Sequence, residues 1–391
     1  FKKIEESFLE DKIKLIKLLY RSEEAPLTLH NKVSILLNGD NKFKSLFADI
    51  ENAKKHIHLE YYILTDDTIG MQLLERICQK AREGIKVRLS YDYVGSSLSS
   101  KALKMLHEAG VEHYPFMPVY FPRFASKLNY RNHRKIVVID GIIGYLGGIN
   151  VSDRYVNFTK GVYWRDTHIR IEGEAVGSMQ LHFLLNWEFL TNYTFEVEEE
   201  YFPKYVPVNK TQVQIAASGP DSDWANIMEA IFTAINTADD YVYITTPYFI
   251  PNDEILMAMV TAAKGGVAIK LIIPKKGDSK AAQYATFSYI EALLEAGVEV
   301  YLYKKGFMHA KTMVIDDVFS TIGTSNMDYR SFNINFEINA LVYDVPIAKE
   351  MASTFNADLK DCERITLEAW QQRPLSHKLK ESFYRLWAPL L

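Results

Sequence analysis

The 391-residue sequence predicts an internally duplicated α/β protein: two α/β/α domains with mostly parallel sheets, packed about a pseudo-twofold axis. Two observations lead there. Apolar strand-like runs alternate with helical segments such as MQLLERICQKAREG (71–84) and NDEILMAMVTAAKGG (252–266), and strand–helix–strand alternation argues for a parallel sheet flanked by helices. The same series of segments then occurs twice, and self-similarity of this kind marks duplication.

Composition is compatible with two cores. Apolar side chains make up 48% of the chain, enough for two ordinary domains. There are 45 basic and 49 acidic residues, a net charge of −4, so no overall charge draws the chain to nucleic acid. The two cysteines, Cys78 and Cys362, have no nearby partner and no metal spacing, and are read as small buried apolar residues. No run reaches 18 uninterrupted apolar residues, and no secretory signal pattern is evident. The chain opens on Phe1 rather than Met, which suggests a trimmed start and leaves a preceding N-terminal anchor open.

In chain order, residues 1–21 place Ile4, Phe8, Ile13, Ile16 and Leu19 at helical spacing among Lys and Glu. The segment 1–25 is thus expected to hold an amphipathic helix, packed on the domain or lying on a membrane surface. The first domain is expected at 26–206 and the second at 207–391, joined near FPKYVPVNK (202–210), where two prolines break the pattern. KVSILLNGD (32–40) is repeated as QVQIAASGP (212–220), and IHLEYYIL (57–64) as YITTPYFI (243–250). AREGIKVRLSYD (81–92) is repeated as AAKGGVAIKLII (262–273), and EAGVEHY (108–114) as EAGVEVY (295–301).

The repeat also pairs RNHRKIVVID (131–140) with FMHAKTMVID (307–316). Each reads His-x-Lys-x4-Asp and is followed by a small-residue turn and an asparagine, GGIN ending at Asn150 and GTSN ending at Asn326. The offset is 176 residues throughout. One such motif is a weak signal; two in register are a strong one. In an extended segment residues i and i+2 share a face, so His133 projects with Lys135 and His309 with Lys311. Asp140 and Asp316 complete the motif, but they fall near a hairpin turn, and we favour an architectural role for them.

If the halves pack about a twofold, the shared site holds two histidines, two lysines and two asparagines. Lysines and amides grip phosphate oxygens. One imidazole can attack phosphorus and the other can protonate the leaving oxygen. With two cations present no metal is needed to offset charge, and neither a metal nor a cofactor is expected. A nucleophilic histidine needs its remote nitrogen held by a carboxylate. Glu337 and Asp166 lie inside apolar runs, where an unpaired carboxylate is costly, and we assign them to hold His309 and His133 respectively. His56, His58, His168 and His182 have no repeated partner and are read as structural.

The first half carries about eleven extra residues, because Gly110 lies 23 before His133 whereas Gly297 lies 12 before His309. The insertion, within MPVYFPRFASKLNYRN (117–132), mixes Tyr120, Phe121 and Phe124 with Arg123 and Lys127. Aromatics beside cations suit a lipid headgroup interface, and these five residues are the membrane-contact candidates.

The duplicated His-x-Lys-x4-Asp resembles the signature of the phospholipase D superfamily, over nearly the whole chain. Flanking segments, among them YITTPYFIPNDEIL, NHRKIVVIDGIIGYLGGIN, MHAKTMVIDDVFSTIGTSNMDYRSF and the C-terminal SFYRLWAPLL, look most like the bacterial cardiolipin synthases within it. The resemblance implies metal-independent phosphatidyl transfer between two phosphatidylglycerol molecules through a phosphohistidine, at a bacterial cell membrane. It implies His133 as nucleophile and His309 as acid, then base; sequence symmetry alone leaves the two open. It also implies membrane-spanning segments ahead of the catalytic region, which this chain does not show; we expect them to have been removed, the alternative being a peripheral enzyme. Three rivals share the motif: a hydrolytic phospholipase D, in which water is the acceptor; a nuclease, which the net charge opposes; and a non-catalytic binding protein, which two intact motifs oppose.

Overall fold

The computed structural model describes residues 12–23, 25–117, 130–157, 161–192, 198–207, 209–220 and 225–387. Its first half runs α1 (Ile13–Glu23), β1 (Thr28–Leu37), α2 (Asn38–Glu51), β2 (His56–Tyr61), α3 (Thr68–Arg82), β3 (Lys86–Asp92), α4 (Ser100–Glu108), β4 (Glu112–Phe116), β5 (Ile136–Ile139), β6 (Ile143–Gly147), β7 (Tyr163–Arg165), β8 (Thr167–Gly173) and α5 (Ala175–Thr191). The second half runs β9 (Thr211–Ser218), α6 (Asn226–Asn236), β10 (Tyr241–Thr245), β11 (Phe249–Ile250), α7 (Asp253–Lys264), β12 (Ala268–Pro274), α8 (Lys280–Glu295), β13 (Glu299–Tyr303), β14 (Gly306–Met308), β15 (Thr312–Ile315) and β16 (Phe319–Gly323). It ends with β17 (Met327–Asp328), α9 (Tyr329–Asn333), β18 (Glu337–Tyr343), α10 (Val345–Leu359), β19 (Cys362–Ile365), α11 (Leu367–Gln371) and α12 (Leu375–Arg385).

Local chemistry starts these helices. Asp67, Ser99, Asn252, Ser279 and Asp344 each accept a hydrogen bond from the backbone N–H three residues on, satisfying a donor that a helix start leaves open.

Fifteen strands form one continuous sheet in the order β19-β13-β12-β10-β15-β16-β18-β9-β1-β8-β6-β5-β2-β3-β4. The order reads as two equivalent arrays meeting at β9 and β1, with β19 as an addition at one edge. The duplication is thus continuous through the middle of the sheet. The expected mostly parallel sheets are not what forms: four ladders are parallel and ten antiparallel. Helical crossovers supply the parallel pairs on the outside. The motif strands instead turn straight back, β5 into β6 and β15 into β16. Asp140 and Gly141, and Asp316 and Asp317, all have positive φ at these turns, as a tight primed hairpin turn requires.

Three large apolar clusters hold the sheet. Each half has its own, and a third lies under the centre, where Ile136, Val138, Ile169, Val213, Val314 and Ile338 pack with residues of α5 and α10. The described part of the N-terminal helix does not offer its apolar face to the outside. Leu15, Ile16 and Leu19 are fully buried in the second-half cluster, and Gln214 Nε2 donates to the carbonyls of Ile16 and Ala25. The packed alternative therefore holds for α1; Ile4 and Phe8 lie outside the described residues.

Candidate active site

The motif strands and their loops converge on one cleft of about 320 Å³ at the junction of the halves. His133, His309, Asn150 and Asn326 all line it. Lys135 and Lys311 are buried beside them, and each ammonium donates to the carbonyl of its own motif histidine, at 2.5 Å in both copies. Lysine and histidine, which share a face at i, i+2 spacing on an extended segment, are thus tied together as a unit.

Both candidate carboxylates reach the histidines, but crosswise. Glu337 holds His133 Nδ1, with both oxygens at 2.9 Å, and Asp166 holds His309 Nδ1 at 2.6 Å. The expected pairing is therefore reversed. The reason is that each motif segment leaves its own half to pair with the other: β14 runs parallel to β7, and Asn132 bridges Phe336. The His309 N–H donates to the Arg165 carbonyl, and the His133 N–H to the Phe336 carbonyl. Each histidine therefore sits next to the residue that precedes the other half's carboxylate. With Nδ1 engaged, Nε2 is the nitrogen left to each imidazole for the cleft.

Electrostatics follow from burial. Desolvation pushes both imidazoles down to about 4, with the adjacent carboxylates pulling the other way. Burial pushes Lys311 down to about 8 against the pull of Asp166 and Glu337, and lowers Lys135 strongly. For Asp166 and Glu337 burial alone would raise the pKa. The charge and hydrogen bond of the partner histidine reverse this, and both lie below the usual carboxylate range. At neutral pH the site therefore presents neutral imidazoles poised on ionised carboxylates.

Close approach of backbone completes the Asp166 side. A Cβ on Gly148 would lie 2.2 Å from Asp166 Oδ1, so the second glycine of GGIN is the residue that leaves room for the carboxylate. Asn150 accepts from the Ile63 N–H and donates to the Tyr155 hydroxyl. Asn326 Oδ1 is buried with no hydrogen-bond partner among the described residues. An unsatisfied amide at a cleft wall is what a ligand donor can complete.

Asp140 and Asp316 do not line the cleft. Asp140 accepts from the N–H groups of Lys54, Lys55 and His56, and Asp316 from those of Asp239, Asp240 and Tyr241. Each ties a hairpin turn to the start of the neighbouring antiparallel strand, β2 or β10. The membrane-contact candidates Tyr120, Phe121, Arg123, Phe124 and Lys127 lie outside the described residues. His56 and His58 share Gln180, and His168 accepts from the Ile149 N–H, so none of the three belongs to the cleft.

Several cleft residues escaped the sequence reading: Arg131, Arg154, Arg330, Tyr62, Trp164, Tyr248 and Asp278. A signal existed for four. Arg154 and Arg330 keep the 176-residue offset, each four residues after the motif asparagine, and Tyr62 and Tyr248 occupy matching positions of the IHLEYYIL and YITTPYFI repeat. Among the described residues no group of three or more His, Cys, Asp or Glu side chains could hold a metal ion.

A duplicated α/β fold with two His-x-Lys pairs facing one cleft defines a phosphodiester-processing protein of the phospholipase D type. Comparison with known proteins narrows this. Residues 46–175 and 231–359 match the family described as "Cardiolipin synthase, PLD-like domain". The chain is 44% identical over 380 residues to the major cardiolipin synthase ClsA of Bacillus subtilis, covering 96% of this chain and 79% of that protein. It is 43% identical over 380 residues to a cardiolipin synthase of Geobacillus sp. strain WCH70, covering 96% and 76%. Among solved structures, the phosphatidylserine synthase of Haemophilus influenzae Rd KW20 shares the fold, with a TM-score of 0.73 at 16% identity, over 97% of this chain and 100% of that one. The chain belongs to the cardiolipin synthase family of phospholipase D-like proteins.

Proposed function

We propose that the cleft joins two phosphatidylglycerol molecules into cardiolipin and glycerol through a phosphohistidine. The observation that carries this reading is the pair of carboxylate-held imidazoles, His133 on Glu337 and His309 on Asp166, lining one cleft. Family membership supports the phospholipid substrate.

In the first step, neutral His133 Nε2 attacks the phosphorus of the donor lipid. Its Nδ1 proton stays on the hydrogen bond to Glu337, which stabilises the positive charge that develops. The bond from phosphorus to the glycerol oxygen breaks, and His309 gives that oxygen its proton. His309 must enter this step as an imidazolium. The bound phosphodiester anion and Asp166 raise its affinity for that proton above the value of the empty site. In the second step, neutral His309 takes the proton of the acceptor's glycerol hydroxyl, whose oxygen attacks phosphorus as the P–N bond breaks. Lys135, Lys311, Asn150 and Asn326 hold the non-bridging phosphate oxygens, where negative charge is greatest. Arg131, Arg154 and Arg330 at the cleft wall add positive potential for two anionic lipids.

The test is a product analysis with mapping. Incubation with phosphatidylglycerol is expected to yield cardiolipin and glycerol, and protein quenched in denaturant and kept at alkaline pH to carry label on His133. Phosphatidic acid without cardiolipin would show a hydrolase; label on His309 would reverse the two histidines. A membrane surface is the partner this substrate implies. Among the described residues no helix is long and apolar enough to cross a membrane.

A further inference from the structure

We propose that α12 is an interfacial helix that seats the protein on an anionic lipid surface beside its own cleft. Leu375, Leu379 and Phe383 recur every four residues along α12, and Leu386 and Trp387 continue the row. They are 71, 63, 54, 80 and 49% exposed. Single exposed apolar residues are ordinary; a row of five, three on α12 and two just past its end, is not. The opposite face is where the helix packs. Tyr384 stacks on Tyr284 of α8 with ring centroids 5.9 Å apart, and Arg385 donates to the Ser288 carbonyl. The outward stripe is therefore a second apolar face on a helix whose first is already used.

The charges select the occupant. Lys378 and Lys380 fall on either flank of the stripe at helical spacing, and neither has a carboxylate partner among the described residues. The one acid of α12, Glu381, is turned inward, buried, and bound by Arg373 at 2.8 and 3.0 Å. The outward face is thus apolar at its centre and only cationic at its edges. That is the pattern of a helix lying in the headgroup region with its apolar side 5–10 Å deep, as roughly expected for such helices. A second copy of the chain fits less well, because a self-complementary contact would set the same lysines against each other.

Placement ties the face to the site. Asp278 lines the cleft and precedes α8, and Tyr284, one turn into α8, is the residue that Tyr384, His377 and Lys380 of α12 surround. Exposed Lys276 and Lys280 flank Asp278 in the chain. Docking through α12 therefore holds the rim of the cleft against the leaflet that supplies its lipids. The proposal rests on the reading of the substrate as an anionic phospholipid.

The test uses the whole chain with two variants, Leu379→Glu/Phe383→Glu and Lys378→Gln/Lys380→Gln. Binding is measured by flotation with vesicles of equal phosphatidylglycerol and phosphatidylcholine, and with phosphatidylcholine alone. Turnover is measured on the mixed vesicles and on short-chain phosphatidylglycerol dispersed as monomers. The wild type is expected to float with the mixed vesicles. The glutamate variant is expected to lose more than tenfold in binding and in vesicle turnover, with monomer turnover within twofold. The glutamine variant is expected to lose about fivefold per cation at low salt. Unchanged vesicle binding in either variant overturns the proposal, as does equal loss on vesicles and monomers. A change of oligomeric state with binding intact assigns the face to a second copy. Should the glutamate variant not fold, the glutamine variant decides alone. Failure of the wild type to make cardiolipin from either lipid form refutes the proposed function instead, and leaves the binding result standing.

Discussion

Replacing Glu337 by Gln isolates the charge that sits behind His133. The carboxylate is fully buried, with both oxygens 2.9 Å from Nδ1, and Asn335 Nδ2 donates to it at 3.3 Å. The amide keeps the shape and removes the charge. A hydrogen bond to a charged group contributes about 1.5–3 kcal/mol. If that charge acts only as His133 becomes cationic in the transition state, the loss is roughly 10- to 150-fold in the rate of phosphoenzyme formation. Rapid-quench labelling reads this rate directly. A second readout separates crossed from uncrossed pairing. Glu337 raises the proton affinity of His133, so its removal pushes that imidazole further below about 4, while His309, held by Asp166, stays in place. Ring resonances followed by NMR through an acid titration distinguish the two. A rate within threefold of wild type, or a shift confined to His309, would refute the crossed assignment.

Lys311 is pushed down to about 8, so its cation is lost as pH rises through that value, and kcat/KM on phosphatidylglycerol is expected to fall tenfold per unit above it. His133 and His309 take up protons in the unfolded chain below about 6.5 but in the fold only near 4. Stability should therefore fall between those pH values, by at most about 3 kcal/mol per histidine, and denaturant midpoints across pH 4–7 measure it. Asp140→Ala strands three backbone N–H groups and puts alanine at φ 54°, so a loss of about 2–3 kcal/mol is expected by thermal melting with kcat within twofold. A large kcat loss at unchanged melting temperature would instead place Asp140 in the chemistry. Gly148→Ala drives a methyl group to 2.2 Å from Asp166 Oδ1, so kcat is expected to drop at least tenfold with vesicle binding unchanged.

What the sequence made legible was local chemistry repeated at a fixed offset. Motif residues a few positions apart on one strand keep their relation wherever the strand goes, so His133 with Lys135 and His309 with Lys311 could be placed without coordinates. The two carboxylates were findable because a charged group in an apolar run must have a partner. Which partner could not be found that way. The choice depends on β14 leaving its half to lie beside β7, a pairing of residues 143 positions apart at His309 and Asp166 that no local spacing encodes. The sheet direction departs from the expectation for a related reason: alternation of strands and helices predicts parallel pairs, whereas the Asp140-Gly141 turn requires β5 and β6 to run antiparallel. Arg154 and Arg330 were in register and still passed over, because arginine after a turn is by default a solvated residue.

The crossed carboxylates also explain why the duplication is retained as one chain with one sheet. Each half carries a histidine and lysine locked together by its own backbone, yet neither half carries the carboxylate that holds its own histidine. Separated, each would present an imidazole of unfixed tautomer and a buried carboxylate without its partner. The second defect is costly to the fold as well as to the chemistry. Joining β9 to β1 fixes the two arrays edge to edge, and the exchange of short strands across the cleft then satisfies both carboxylates at once. The same exchange makes the two histidines nearly equivalent in burial and proton affinity, which suits a reaction whose two steps run the same displacement in opposite directions. Division of labour between them must then arise from what lies around the pair. His309 is enclosed by Trp164, Phe307 and Tyr155, whereas His133 faces Tyr62. At nearly equal exposure, this difference in aromatic contact is the asymmetry from which distinct roles for the two histidines would have to arise.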